Sequence, residues 1–140
     1  MRLMRLAGIL LVASALGACD VDGELEEIER VASPDGVVDA VVIRKNFGAT
    51  TSYAYQVYVV QTGAKPEEGK QNFVADRANG LTVKWEQTRS LAIVFSEARI
   101  FEFSNFWTSR EVEEFRYVVE LRLAPTSGSY SLGSESRNLQ

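Results

Sequence analysis

The chain has 140 residues, 24% of them charged, with a formal net charge of −4, no histidine and one cysteine. An acidic balance excludes a nucleic-acid partner, because affinity for phosphate backbones comes largely from Lys and Arg. Without histidine the commonest general base, the Ser–His and Cys–His nucleophile pairs and the commonest metal ligand are gone. Carboxylate chemistry, serine–lysine chemistry and oxygen-ligand cation sites are what remain.

In chain order, Arg2 and Arg5 open a segment whose residues from Leu6 to Leu16 are apolar apart from Gly8 and Ser14, with no acidic residue before Asp20. A positive start, a short apolar run and small residues before a cut define a secretory signal. The run falls short of the ~20 residues that span a bilayer core. Leu16-Gly17-Ala18-Cys19 resembles the lipobox of bacterial lipoproteins, an aliphatic residue and two small ones before cysteine. That resemblance implies cleavage after residue 18, diacylglycerol on the Cys19 thiol and an acylated new amino terminus. Several acyl chains hold a protein on a membrane where one does not, and lipid on Cys19 explains a cysteine with no disulfide partner. Asp20 after the lipidated cysteine resembles an inner-membrane retention signal, which favours the periplasmic face of that membrane over the outer membrane. Loss of residues 1–18 removes two arginines and no acid, which takes the net charge from −4 to −6.

Residues 19–30 are acidic and read as a lipidated tether. A faint calcium-loop spacing at Asp20, Asp22 and Glu26 or Glu27 lacks the twelve-residue pattern, so no metal site and no cofactor are expected. Residues 31–123 read as one all-β domain. Ser33-Pro34-Asp35-Gly36 is a turn. Val37–Arg44, apolar on both alternating faces, reads as a doubly covered central strand. Tyr53–Gln61 is a second strand, and Thr62–Lys70 an exposed loop. Asn79-Gly80 carries a type I′ turn signal, and Leu81, Val83 and Trp85 alternate inward against Thr82, Lys84 and Glu86. Leu91–Phe95 follows a polar turn, Arg99–Phe103 forms another strand, and Ser109–Glu114 offers one helical turn capped by Ser109. Tyr117, Val119, Leu121 and Leu123 define the last strand. From Ala124 serine and glycine predominate, so residues 124–140 read as a flexible tail. Six or seven short strands joined locally predict an antiparallel meander, forming a small sandwich or partly open barrel.

Two fragments, Ser33–Gly36 before a hydrophobic strand and Trp85 followed by Leu91–Phe95, resemble blades of TolB-like β-propellers. With room for two blades at most, this implies a single blade-like sheet. The wider pattern over residues 31–123 looks like a family of small bacterial exported proteins with no assigned activity, and it brings no catalytic residue.

Two candidate sites stand out. Asn105, Phe106 and Trp107 place a polar residue beside two bulky rings at a strand end, a pattern suited to a partner-binding patch. Gly48, Thr50, Thr51 and Ser52 offer amides and hydroxyls for an anion or glycan. The functional expectation is a membrane-anchored, non-enzymatic envelope lipoprotein whose β-domain binds another protein or envelope component, the membrane itself being held through Cys19. The alternative is a small-ligand or glycan binder using loop 48–52.

Overall fold

A computed structural model describes residues 24–48 and 52–133. Cys19, Thr50 and Thr51, the signal segment and residues 134–140 lie outside the described residues. Among those described, no helix is long and apolar enough to cross a membrane. The protein is all-β: β1 Glu24–Ala32, β2 Val38–Asn46, β3 Ala54–Gln61, β4 Phe73–Asn79, β5 Thr82–Gln87, β6 Ser90–Phe103, β7 Phe106–Trp107 and β8 Val119–Leu132. They form one mixed sheet in the order β1-β2-β3-β4-β6-β8-β7, with β5 also paired to β6. The sheet is larger than a four-stranded blade and is not closed into a barrel.

Several expectations are corrected here. Asn79-Gly80 does not reverse the chain. β4 and β5 run one after the other along the same neighbour, from Phe73↔Phe103 and Asn79↔Glu97 to Thr82↔Val94 and Gln87↔Ser90. The dipeptide is a kink, taken by Gly80 at φ +65° and closed by the Ser96 hydroxyl donating to the Asn79 carbonyl at 3.0 Å. The true reversal is the polar turn at Gln87–Ser90. The two strands expected at Leu91–Phe95 and Arg99–Phe103 are halves of one long β6.

The pairing is also not a pure meander. β8 lies parallel to β6, from Ser90↔Glu120 to Ile100↔Leu132, because residues 104–118 carry the chain back to the start of β6. β8 therefore reaches Leu132 through the region expected to be a tail, and β1 begins at Glu24 inside the expected tether. The helical turn expected over Ser109–Glu114 with a Ser109 cap is instead a short left-handed turn at Glu113–Phe115, with φ of +50°, +49° and +67° and no side-chain cap. Its closing bond runs from the Phe115 amide to the Ser109 carbonyl at 2.9 Å.

The kink folds β5 back over β1 and β2. The Glu29 carboxylate accepts from the Thr82 hydroxyl at 2.8 Å, and the Trp85 indole donates to the Val31 carbonyl at 2.9 Å. The space enclosed holds the main core: Val38, Ala40 and Val42 of β2, Val57 and Val59 of β3, Phe73, Leu91, Ile93, Phe95, Val119 and Leu121. Phe73 and Phe95 stack with ring centroids 6.3 Å apart. The Ser33–Gly36 turn is locked to the far end of the chain. Tyr117, buried, donates to Asp35 at 2.7 Å, and the Ser33 hydroxyl donates to the same carboxylate at 2.6 Å.

Candidate functional site

β2 and β3 are apolar on both faces, as expected of Val37–Arg44. Val38, Ala40 and Val42 point into the main core, while Val41, Ile43 and Tyr58 form a second buried cluster on the opposite, outer face, with Val60 packed beside it. Among the described residues no strand covers that face. The segment Thr62–Lys70, exposed along most of its length as expected, crosses it together with Gln71 as a strap.

Specific bonds fix the strap. Asp39 is buried at 4% exposure, and its Oδ2 accepts from Arg30 Nη1 at 2.9 Å and from the Gly63 amide at 2.9 Å. Arg30 also donates to the Ala64 carbonyl at 3.2 Å and to both oxygens of Glu27. The Glu27 hydrogen bond, opposed by burial and helped by the one to Asp39, raises the Arg30 pKa well above its already high ordinary value. This guanidinium stays charged at any working pH. Thr62 Oγ1 donates to the Gly36 carbonyl at 2.7 Å, and Lys45 reaches Glu68 at 3.5 Å.

Between strap and sheet lie two adjoining cavities that share Tyr58 and Lys65 in their walls. One, of about 350 Å³, is lined by Leu25, Glu27, Ile43, Gln56, Tyr58, Lys65, Pro66 and Glu68. The other, of about 270 Å³, continues past Val60, Ala64, Glu67 and Lys70 to Trp107, Ser109 and Glu111. The floor is apolar and the rim carries both signs of charge. Burial, with Glu68 and Glu102 nearby, raises the Tyr58 pKa, so the phenol stays protonated and donates to Gln56 Oε1 at 2.9 Å. Ser109 donates to Glu111 and Lys70 pairs with Glu67 at 2.7 Å, so both polar groups are already committed. An apolar floor with oriented polar groups at its margin is the usual architecture of a binding site.

The sequence-derived candidates fall differently. Trp107 is half-buried against the core and lines this groove. Phe106 is 55% exposed, and Asn105 is exposed with its carbonyl accepting from the Leu121 amide at 2.8 Å. Of the three, Trp107 alone lines the groove. Gly48 and Ser52 sit at the far end of the β2–β3 connection and line neither cavity; Gly48 is at φ +109°, with its amide donating to Asn46 Oδ1 at 3.0 Å. Tyr58, Lys65, Glu67 and Glu68 were not singled out as site residues from sequence. The available signal was the second apolar face of β2, which required a cover. Among the described residues no group of three or more His, Cys, Asp or Glu is placed to hold a metal ion. No family model matches the chain, and no curated protein or solved structure is significantly similar to it.

Proposed function

We propose that this chain is a lipid-anchored lipoprotein of the bacterial envelope whose non-catalytic β-domain binds another envelope protein or component through the groove under the Thr62–Gln71 strap. The anchor rests on the lipobox-like Leu16–Cys19 and the signal segment before it. Asp20 favours the inner membrane in this reading. The observation that carries the binding role is the pair of adjoining cavities joined at Tyr58 and Lys65, with Ile43, Tyr58 and Trp107 as apolar contacts and Lys65, Glu67, Glu68 and Glu111 at the rim. Aromatic anchors ringed by charge suit an extended protein segment carrying apolar and basic side chains.

A photo-crosslinking amino acid at position 65 of the full-length chain, irradiated in native envelopes, tests this. A discrete adduct at position 65, without one at position 88 in the distant β5–β6 turn, is the expected result. Equal adducts at both positions, or none at 65, contradict the groove as the docking site.

A further inference from the structure

The registers place a distinct set of residues at the end of the sheet where β1 begins. Glu24 lies opposite Asn46, Leu25 opposite Lys45, and Lys45 opposite Ala54, so the start of β1 and the β2–β3 connection share one end. Val38 pairs with Gln61 at the other end, beside the Ser33–Gly36 turn. The near end exposes large apolar side chains: Leu25 at 57%, Phe47 at 52% and Tyr53 at 45%. Each ring holds a cation, with Lys45 Nζ 5.3 Å from the Phe47 centroid and the Arg44 guanidinium 4.9 Å from that of Tyr53.

The covalent chain then limits where this end can be. From Cys19 to Glu24 there are five residue steps, which span at most about 18 Å in any conformation. A nine-residue strand such as β1 is itself roughly 30 Å long, so the Glu24 end can lie beside the lipid while the Ser33–Gly36 end stays out of contact with Cys19. We infer that Leu25, Phe47 and Tyr53 form a membrane-seating surface that rests in the headgroup region of the bilayer holding the Cys19 lipid. This rests on the lipoprotein reading above. Aromatic rings with a polar or cationic partner concentrate at that depth because one side is apolar and the other wet. Arg44 is paired with Glu26 and Lys45 with Glu68, so the end offers little net positive charge. Seating is therefore driven by apolar contact, and it is insensitive to salt and to the fraction of anionic lipid. The outer-face groove begins at Leu25 in the same region, so seating leaves its Trp107 end open to the periplasm.

The test uses the full-length lipidated chain in vesicles of zwitterionic lipid carrying a bilayer-bound quencher. Because Cys19 is acylated, Phe47→Cys, Tyr53→Cys and Gln61→Cys each supply a single thiol for an environment-sensitive fluorophore. Expected are a blue shift and loss of emission at 47 and 53, neither at 61, unchanged in high salt. Palmitate incorporation that is abolished by Cys19→Ala is measured on the same preparations. A lipidated chain whose labels at 47 and 53 stay aqueous overturns seating alone. A blue shift that persists in detergent without quenching also overturns it, and shows a protein or a second copy covering this end. A chain that takes up no lipid overturns both seating and the anchor.

Discussion

The two faces of β2 and β3 are built from the same kinds of side chain but are closed in different ways. On the inner face Val38, Ala40, Val42, Val57 and Val59 meet side chains from β4, β6 and β8, elements held by backbone ladders with a few register shifts. On the outer face Val41, Ile43 and Tyr58 meet an irregular strap, tied at its ends by backbone bonds from Thr62 to Val37 and from Asn72 to Val57 and elsewhere by isolated bonds to Asp39, Arg30 and the Gly36 carbonyl. Ladders bring facing side chains to close-packed density, whereas a strap pinned at a few points leaves gaps. Both cavities of the candidate groove lie on the strapped side. Rigid closure supplies stability, and loose closure leaves the space of the candidate groove.

The sharpest way to break this contrast is to make the same deletion on both faces. Ile93→Ala, in the fully buried inner layer, should cost about 3–5 kcal/mol, whereas Ile43→Ala beside the cavity should cost about 2 kcal/mol, read from urea midpoints. Equal losses would remove the distinction. A smaller effect is expected from Asp39→Ala, which leaves Arg30 its bonds to Glu27 but frees the Gly63 amide. The loss should be about 1.5–3 kcal/mol, with hydrogen exchange faster at Gly63 and unchanged at Val42 and Val57. Exchange that speeds equally everywhere would make the strap part of the cooperative core.

Trp85→Phe keeps the ring but loses the bond to the Val31 carbonyl, which joins the folded-over β5 to β1. About 1 kcal/mol is expected, and no change would make that clasp dispensable. The smallest effect concerns acid. Burial works to raise the Asp35 pKa, but hydrogen bonds from Ser33, Tyr117 and the Val37 amide outweigh it and leave it below its ordinary value. Asp76 is lowered chiefly by its hydrogen bond from Arg99, against opposing burial. A carboxylate lowered on folding binds its proton more readily in the unfolded chain, so its contribution is present above about pH 4 and is lost as pH falls toward the folded value. Thermal midpoints should drop below about pH 4, less steeply in Tyr117→Phe; an identical slope would exclude the Tyr117–Asp35 bond as a source.

Local periodicity made β2, β3, β5 and the Gln87–Ser90 reversal legible, and it gave the inward residues Val83, Val119 and Leu121 correctly. What it missed was non-local. Asn79-Gly80 carries the same local signal whether it reverses a chain or kinks it, and only the pairing of both flanks with β6 decides between them. The direction of β8 depends on where residues 104–118 lead, and its Ser/Gly-rich half is ordered by a neighbour distant in sequence. The acidic stretch read as a tether is in large part the edge strand β1. Its charges pair with Arg30 and Arg44 or reach Thr82, and a bulge beside Ile28 breaks the register, as suits an edge that must resist further pairing. Trp107, read from sequence as a candidate, and Tyr58, which was not, both line the groove. An aromatic residue within a strand reads as core until the loop that covers it is seen to leave space.

The measurement that bears most directly on the proposed anchor is the intact mass and amino-terminal sequence of the protein isolated from its native cells. A mature chain starting at Cys19, with diacylglycerol on the sulfur and an acylated amine, is the predicted result. A chain still carrying residues 1–18, or an unmodified Cys19 thiol, would contradict the anchor and with it the placement of the groove in the envelope.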